Sequence, residues 1–216
     1  MSYLNQARSL GELICLSCEV WSHRIAAHYH EGPAFRSITY KELYQRIFEI
    51  AGKLYGLGLK KEDRLAIIAE NSLEWALVDW AAQTLGVILV PIYPTLPKEQ
   101  VQYILKDSNA RVLIAGTEQL ADKTTGYSNL QVLLLNSGDG YSSLESLLTP
   151  EDFKKEQWRK DVEQIQPGDV ATYIYTSGTT GFPKGTMLSH QAFLHITKNS
   201  SSYADCYFIR LSVSYR

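Results

Sequence analysis

Apolar positions along this chain switch repeatedly between two periods. Thr39 followed by Glu42 has the spacing of a capping box, and Leu43, Ile47, Ile50, Ala51 and Leu54 then recur at helical steps. This predicts an amphipathic helix ended by Gly56 and Gly58. Arg64–Ala69 (RLAIIA) is apolar but too short for a helix and predicts a buried strand. Ser72 then caps a helix over Leu73–Leu85, Val87–Ile92 (VILVPI) predicts a strand, and Pro97 opens a helix running to about Asp107. Ala110–Ala115 (ARVLIA) and Gln131–Leu135 (QVLLL) are two more strands, with a weaker helical stretch around Glu118–Lys123 between them.

The flanking segments are less regular. Leu10, Leu13, Ile14, Ile25 and Ala26 recur at loosely helical spacing and predict one helix from Leu4 to about His28, stopped by Glu31-Gly32-Pro33. Gly138–Ser143 reads as a loop. Phe153–Gln166 is charged and lacks a continuous apolar face, as expected of a surface helix or linker. No internal repeat or low-complexity segment interrupts the alternation. Buried strands taking turns with helices predict an α/β fold: a mostly parallel, doubly wound sheet with helices on both faces.

Composition narrows the function classes. The 216 residues are 45% hydrophobic and 20% charged with a net charge of -2, which leaves no electrostatic footprint for nucleic acid. No run of about 18 uncharged apolar residues spans a membrane, and no secretory signal opens the chain, so the cytosol is the expected compartment. Peripheral contact with a membrane surface stays open. The three cysteines include Cys15-x-x-Cys18, which has neither a second ligand pair nor a thioredoxin-like context and reads as a reduced pair one turn apart on a helix. His23, His28 and His30 lie near the expected helix end and read as a solvated cluster rather than a metal site.

The densest chemistry lies between Asp169 and His190, DVATYIYTSGTTGFPKGTMLSH. Val170–Tyr175 is β-branched and aromatic almost throughout, predicting a buried strand that delivers a loop rich in glycine and hydroxyls. Gly178, Gly181 and Gly185 permit positive φ and close backbone approach, so amide N–H groups can converge on an anion. Thr176, Ser177, Thr179 and Thr180 add hydroxyls. Lys184 adds a cation worth about 4 kcal/mol against a phosphate charge at about 4 Å for an effective dielectric near 20. The spacing fits neither a Walker A loop, since Lys184 follows Pro183 and precedes Gly185, nor the dinucleotide fingerprint, since no glycine separates Gly178 from Gly181.

The run YTSGTTGFPKG from Tyr175 to Gly185 resembles the signature of the adenylate-forming (AMP-binding) superfamily, which includes acyl-CoA synthetases, luciferases and peptide-synthetase adenylation domains. Thr39-Tyr40, Glu42-Leu43, Asp63-Arg64, Asn71-Ser72 and Glu74-Trp75 resemble the N-terminal landmarks of acyl-CoA synthetases, each with a structural role as its simplest reading. Val90–Thr95 (VPIYPT) is similar to the long-chain fatty acyl branch.

The resemblance implies that residues 1–216 are the N-terminal portion of an adenylate-forming domain, with the downstream part and the C-terminal lid domain absent. It implies a fatty acid to CoA ligase: the carboxylate attacks the α-phosphorus of ATP, giving acyl-adenylate and pyrophosphate, and coenzyme A then takes the acyl group. It also implies roles for residues. Thr176 would contact phosphate and Mg²⁺, Ser177, Gly178, Thr179, Thr180 and Gly181 would cradle the β- and γ-phosphates, and Lys184 would neutralise the leaving pyrophosphate, Thr176 and Lys184 being the catalytic pair. The 216 residues alone are then expected to make no acyl-CoA, and a non-catalytic fragment binding nucleotide or a partner is the alternative.

Overall fold

The computed structural model describes residues 6–31, 34–176 and 182–199. Its elements in chain order are α1 (Leu10–Val20), β1 (Ile25–Glu31), β2 (Ala34–Thr39), α2 (Tyr40–Gly56), β3 (Arg64–Ile68), α3 (Leu73–Leu85), β4 (Ile88–Ile92) and α4 (Lys98–Ser108). There follow β5 (Val112–Ala115), α5 (Glu118–Ala121), β6 (Gln131–Leu134), α6 (Lys155–Glu163), β7 (Val170–Thr176), β8 (Lys184–Ser189) and α7 (His190–Asn199).

The apolar runs pair into one sheet of order β6-β5-β3-β4-β7-β8. Every neighbouring pair is parallel except β7 and β8. β3 lies inside the sheet, in register with β4 from Arg64↔Ile88 to Ile68↔Ile92. The strand period of two splits the run between two cores. Leu65, Ile67, Leu89 and Ile114 join Ile14 of α1, Ile47 of α2, Leu77 of α3 and Trp158 of α6. Ala66, Ile68, Val90 and Leu113 join Val101, Ile104 and Leu105 of α4 and Ala121 of α5. Helices therefore cover both faces, as the alternation predicts, and each buried Leu or Ile contributes roughly 1.5–3 kcal/mol.

Local chemistry sets the helix ends. At α2 the Thr39 hydroxyl accepts from Glu42 N–H at 3.3 Å, while Glu42 Oε2 accepts from Thr39 N–H at 2.8 Å. At α3 the Ser72 hydroxyl accepts from Trp75 N–H, and Gly86 closes the other end with φ 66°, a conformation that favours glycine. Arg64 spends its guanidinium on the carbonyls of Glu62, Ser108 and Asn109, a structural role.

The structure corrects one expectation, narrows a second to a helix with a buried side, and adds one strand that was not foreseen. The single helix from Leu4 to His28 is instead α1 and a strand. Trp21 N–H bonds back to Ser17 O to end α1, and Ile25–Glu31 pairs antiparallel with β2, Tyr29 facing Arg36 and His30 facing Phe35. A partner strand outweighs a loose helical period. His28 and His30 thus lie on a hairpin, their rings 5.3 Å from that of Phe35, with His28 Nδ1 bonded to the Ser37 hydroxyl. The charged stretch Phe153–Gln166 holds α6, whose Trp158 and Val162 are fully buried one turn apart. Two anchors suffice where a continuous stripe is missing. Finally, the residues after the glycine-rich loop form a strand, β8, that no apolar run announces.

Candidate phosphate-binding site

β7 and β8 are tied together at the foot of β7, at the end away from the glycine-rich loop. Lys61 Nζ stands 2.6 Å from Asp169 Oδ2, which also accepts from Gln166 N–H. Burial alone would raise the Asp169 carboxyl, but these two donors and the Lys61 charge hold it below the usual carboxylate range. His190 N–H donates to Asp169 O and Gln191 N–H to Pro167 O, so the end of β8 is tied back to the start of β7.

Along its inner edge β7 meets β4 at one register pair, Leu89↔Thr172. The Thr172 hydroxyl donates to Leu89 O at 2.8 Å, and Gln83 Nε2 donates to Ala171 O at 3.3 Å. Pro91 lies two residues beyond Leu89 and presents its backbone to the same neighbour, but it has no N–H to give. The ladder stops there. Further up, Tyr175 O–H donates to Asp107 Oδ2 of α4 at 2.7 Å, and the Tyr103 ring of α4 lies 4.8 Å from that of Phe182.

The outer edge of β7 pairs with β8 up to Tyr175↔Gly185 and Thr176↔Lys184. Directly opposed residues share a face with their Cβ atoms about 4.5–5.5 Å apart. Thr176 and Lys184 are both exposed, and among the described residues no carboxylate lies in ion-pair range of Lys184. A hydroxyl and an ammonium therefore stand side by side at the loop end of the hairpin. Ser177, Gly178, Thr179, Thr180 and Gly181 lie outside the described residues.

Gly185 requires a correction. It lies within β8 and is not among the glycines of positive φ, so it does not serve as a flexible point of the loop. What requires glycine is its neighbour across the hairpin, because a Cβ here would stand 2.9 Å from Cζ of Tyr175. Lys184–Ser189 is exposed or half-buried throughout and carries no strand period of its own, and Lys184 and Gly185 read as loop chemistry. Asp107, Tyr103 and Phe182 carried no local signal, since the contacts that matter span 68 residues in the case of Asp107.

The other candidates sit apart from the hairpin. Cys15 and Cys18 are buried free thiols on α1, and burial pushes Cys15 up to about 12 and Cys18 higher still, so both act as core residues. Among the described residues no three His, Cys, Asp or Glu side chains gather as a metal site, and no helix is long and apolar enough to cross a membrane. Val90 and Ile92 are buried in the second core while Tyr93 is exposed, and Lys123 Nζ donates to the carbonyls of Pro94 and Leu96.

Residues 16–213 match the family model described as AMP-binding enzyme. The long-chain-fatty-acid–CoA ligase FadD15 of Mycobacterium bovis is 34% identical over 171 residues, covering 77% of this chain and 28% of that protein. Tyrocidine synthase 2 of Brevibacillus parabrevis is also 34% identical, over 78% of this chain and 4% of its own length. Among solved structures, a fatty acyl-adenylate ligase from L. pneumophila superposes with a TM-score of 0.72 at 22% identity, covering 94% of this chain and 34% of that one. The shared feature is the fold.

Proposed function

Because the chain belongs to the AMP-binding enzyme family, we propose that its β7–β8 hairpin holds the phosphates of ATP for the activation of a fatty acid. The observation that carries this reading is Thr176 opposite Lys184, both exposed, at the two ends of the TSGTTGFPK run. In the proposed first step a carboxylate oxygen bonds to the α-phosphorus and the bond to the bridging oxygen breaks, so charge grows on the departing pyrophosphate. Lys184 neutralises that charge, the Thr176 hydroxyl donates to a phosphate oxygen, and the amides and hydroxyls from Ser177 to Gly181 complete the cradle. In the second step the coenzyme A thiol attacks the acyl carbon and AMP leaves.

Mg²⁺ would share the phosphate charge. Thr176 offers it one neutral oxygen, and among the described residues no three His, Cys, Asp or Glu side chains gather to hold it. The fatty acid class is supported by the mycobacterial relative, whose name specifies a long-chain acid, and by the Val90–Thr95 resemblance. Coenzyme A as acceptor and a cytosolic setting, with or without membrane contact, belong to the same proposal. So does the division of labour in which residues 1–216 supply the phosphate-binding portion of the domain.

The chain spans 28% of the mycobacterial ligase, and this favours a second reading, in which it binds nucleotide without catalysis. Calorimetric titration of residues 1–216 with ATP tests the shared core of both. Binding that weakens about ten- to a hundredfold in Lys184→Ala is expected, a charge-assisted contact being worth about 1.5–3 kcal/mol. Equal affinity in the variant would remove Lys184 from the site. Palmitate-dependent formation of acyl-adenylate separates the enzyme reading from the binding one.

A further inference from the structure

We infer that helix α4 is the clamp that holds the phosphate-binding hairpin in position, with Asp107 and Tyr103 as its positioning residues. The inference rests on the reading that Thr176 and Lys184 meet phosphate, and it adds an element that this reading does not include. The need arises from the sheet. β7 shares a single register pair with β4, and Pro91 ends the ladder below the level of the loop. The upper half of β7 therefore has no further register pair with its inner neighbour, and side-chain contacts hold it.

Two contacts from one helix supply the fastening. Asp107 Oδ2 accepts from Tyr175 O–H at 2.7 Å, next to Thr176. Tyr103 packs on Phe182 with ring centroids 4.8 Å apart and planes at 32°, two residues before Lys184. Tyr103 and Asp107 are four residues apart on α4 and so share a helix face. That face takes hold of one residue on each side of the loop. Tyr175 is itself 6% exposed and packed over Gly185, so its ring also spans the two strands of the hairpin. α4 in turn is anchored by Val101, Ile104 and Leu105, all fully buried in the second core. Core, helix and loop ends thus form one continuous mechanical path.

The experiment uses residues 1–216, ATP as the probe, and amide hydrogen exchange at Thr176, Lys184 and Gly185 as a second readout independent of nucleotide. Asp107→Ala and Phe182→Ala each remove one contact, and Asp107→Asn keeps an oxygen that can accept from Tyr175. The clamp predicts about tenfold weaker ATP binding in the two alanine variants, because the ends must be ordered at the expense of binding. It also predicts faster exchange at those three amides with exchange in β3 and β5 unchanged, and recovery of both in Asp107→Asn. Wild-type affinity in both alanine variants overturns it. Faster exchange throughout β3 and β5 also overturns it, since the contacts would then serve general stability. If the unaltered chain binds no ATP, the proposed function is what fails; exchange then decides the clamp alone, local acceleration upholding it and no change refuting it.

Discussion

His190 and Asp79 place two opposed titrations in one fold. The His190 imidazole is fully buried, accepting Leu10 N–H at Nδ1 at 3.2 Å, with Nε2 left without a partner. Burial lowers it from 6.5 to about 4, with Asp169 pulling it up and Lys61 pushing it down. The unfolded chain then takes up a proton first, so this residue's contribution is complete above pH 6.5 and is lost as pH falls towards 4. Burial raises the Asp79 carboxyl from 3.8 to about 6, against the Gln83 amide that donates to it. Here the folded chain takes up the proton first, so stability is gained over nearly the same interval. At about 1.4 kcal/mol per pH unit each is worth roughly 3 kcal/mol, and they largely cancel. Thermal melts should therefore show that Asp79→Asn loses stability between pH 6.5 and 4 while His190→Gln, which keeps an acceptor for Leu10 N–H, gains it. Parallel pH profiles for both variants would contradict the assignment.

At the scale of elements, buried anchors decide what forms. Trp158 carries α6: its ring packs near Tyr44 and Phe48, and its Nε1–H donates to the Thr84 hydroxyl at 3.1 Å. Trp158→Ala should lower stability by about 3–5 kcal/mol in urea unfolding, whereas Trp158→Phe, which keeps most of the ring and loses the hydrogen bond, should cost about 1–3. The same contrast explains what could be read from the sequence alone. β3, β4 and β5 are continuous apolar runs, and α2 and α3 have caps, all local signals, so their places were legible to within a few residues. α6 has a polar sequence with two distant anchors, β1 is decided by β2, and β8 by β7, so pairing across the chain determined them and no local period could. Within the site, Thr176 and Lys184 were legible as chemistry. Their adjacency is a property of the hairpin register. Gly185→Ala tests that register: its Cβ would press on the Tyr175 ring, and faster amide exchange along β8 is expected, while an unchanged rate would show that the ring can give way.

For the molecule as a whole, the proposed function draws on the described sheet for phosphate contacts and for none of the acyl contacts. Residues 1–216 should accordingly yield no acyl-CoA from palmitate, ATP, Mg²⁺ and coenzyme A, and clear turnover would show that the acyl site is already complete. Joined to the remainder of the mycobacterial ligase, the same region should support pyrophosphate release with palmitate in preference to acetate; release driven by amino acids would instead favour the peptide-synthetase relatives. The strand order also has a colloidal consequence. Among the described strands β8 stands last in the sheet, antiparallel to β7, and Met187 on it is 67% exposed. An edge of this kind offers its outer backbone groups to any extended chain of matching length, and the apolar side chain does nothing to deter a second copy. Light scattering of the concentrated protein should grow with concentration and time. Met187→Lys, a charge on that edge, should suppress the growth while leaving the melting temperature of the dilute protein where it was.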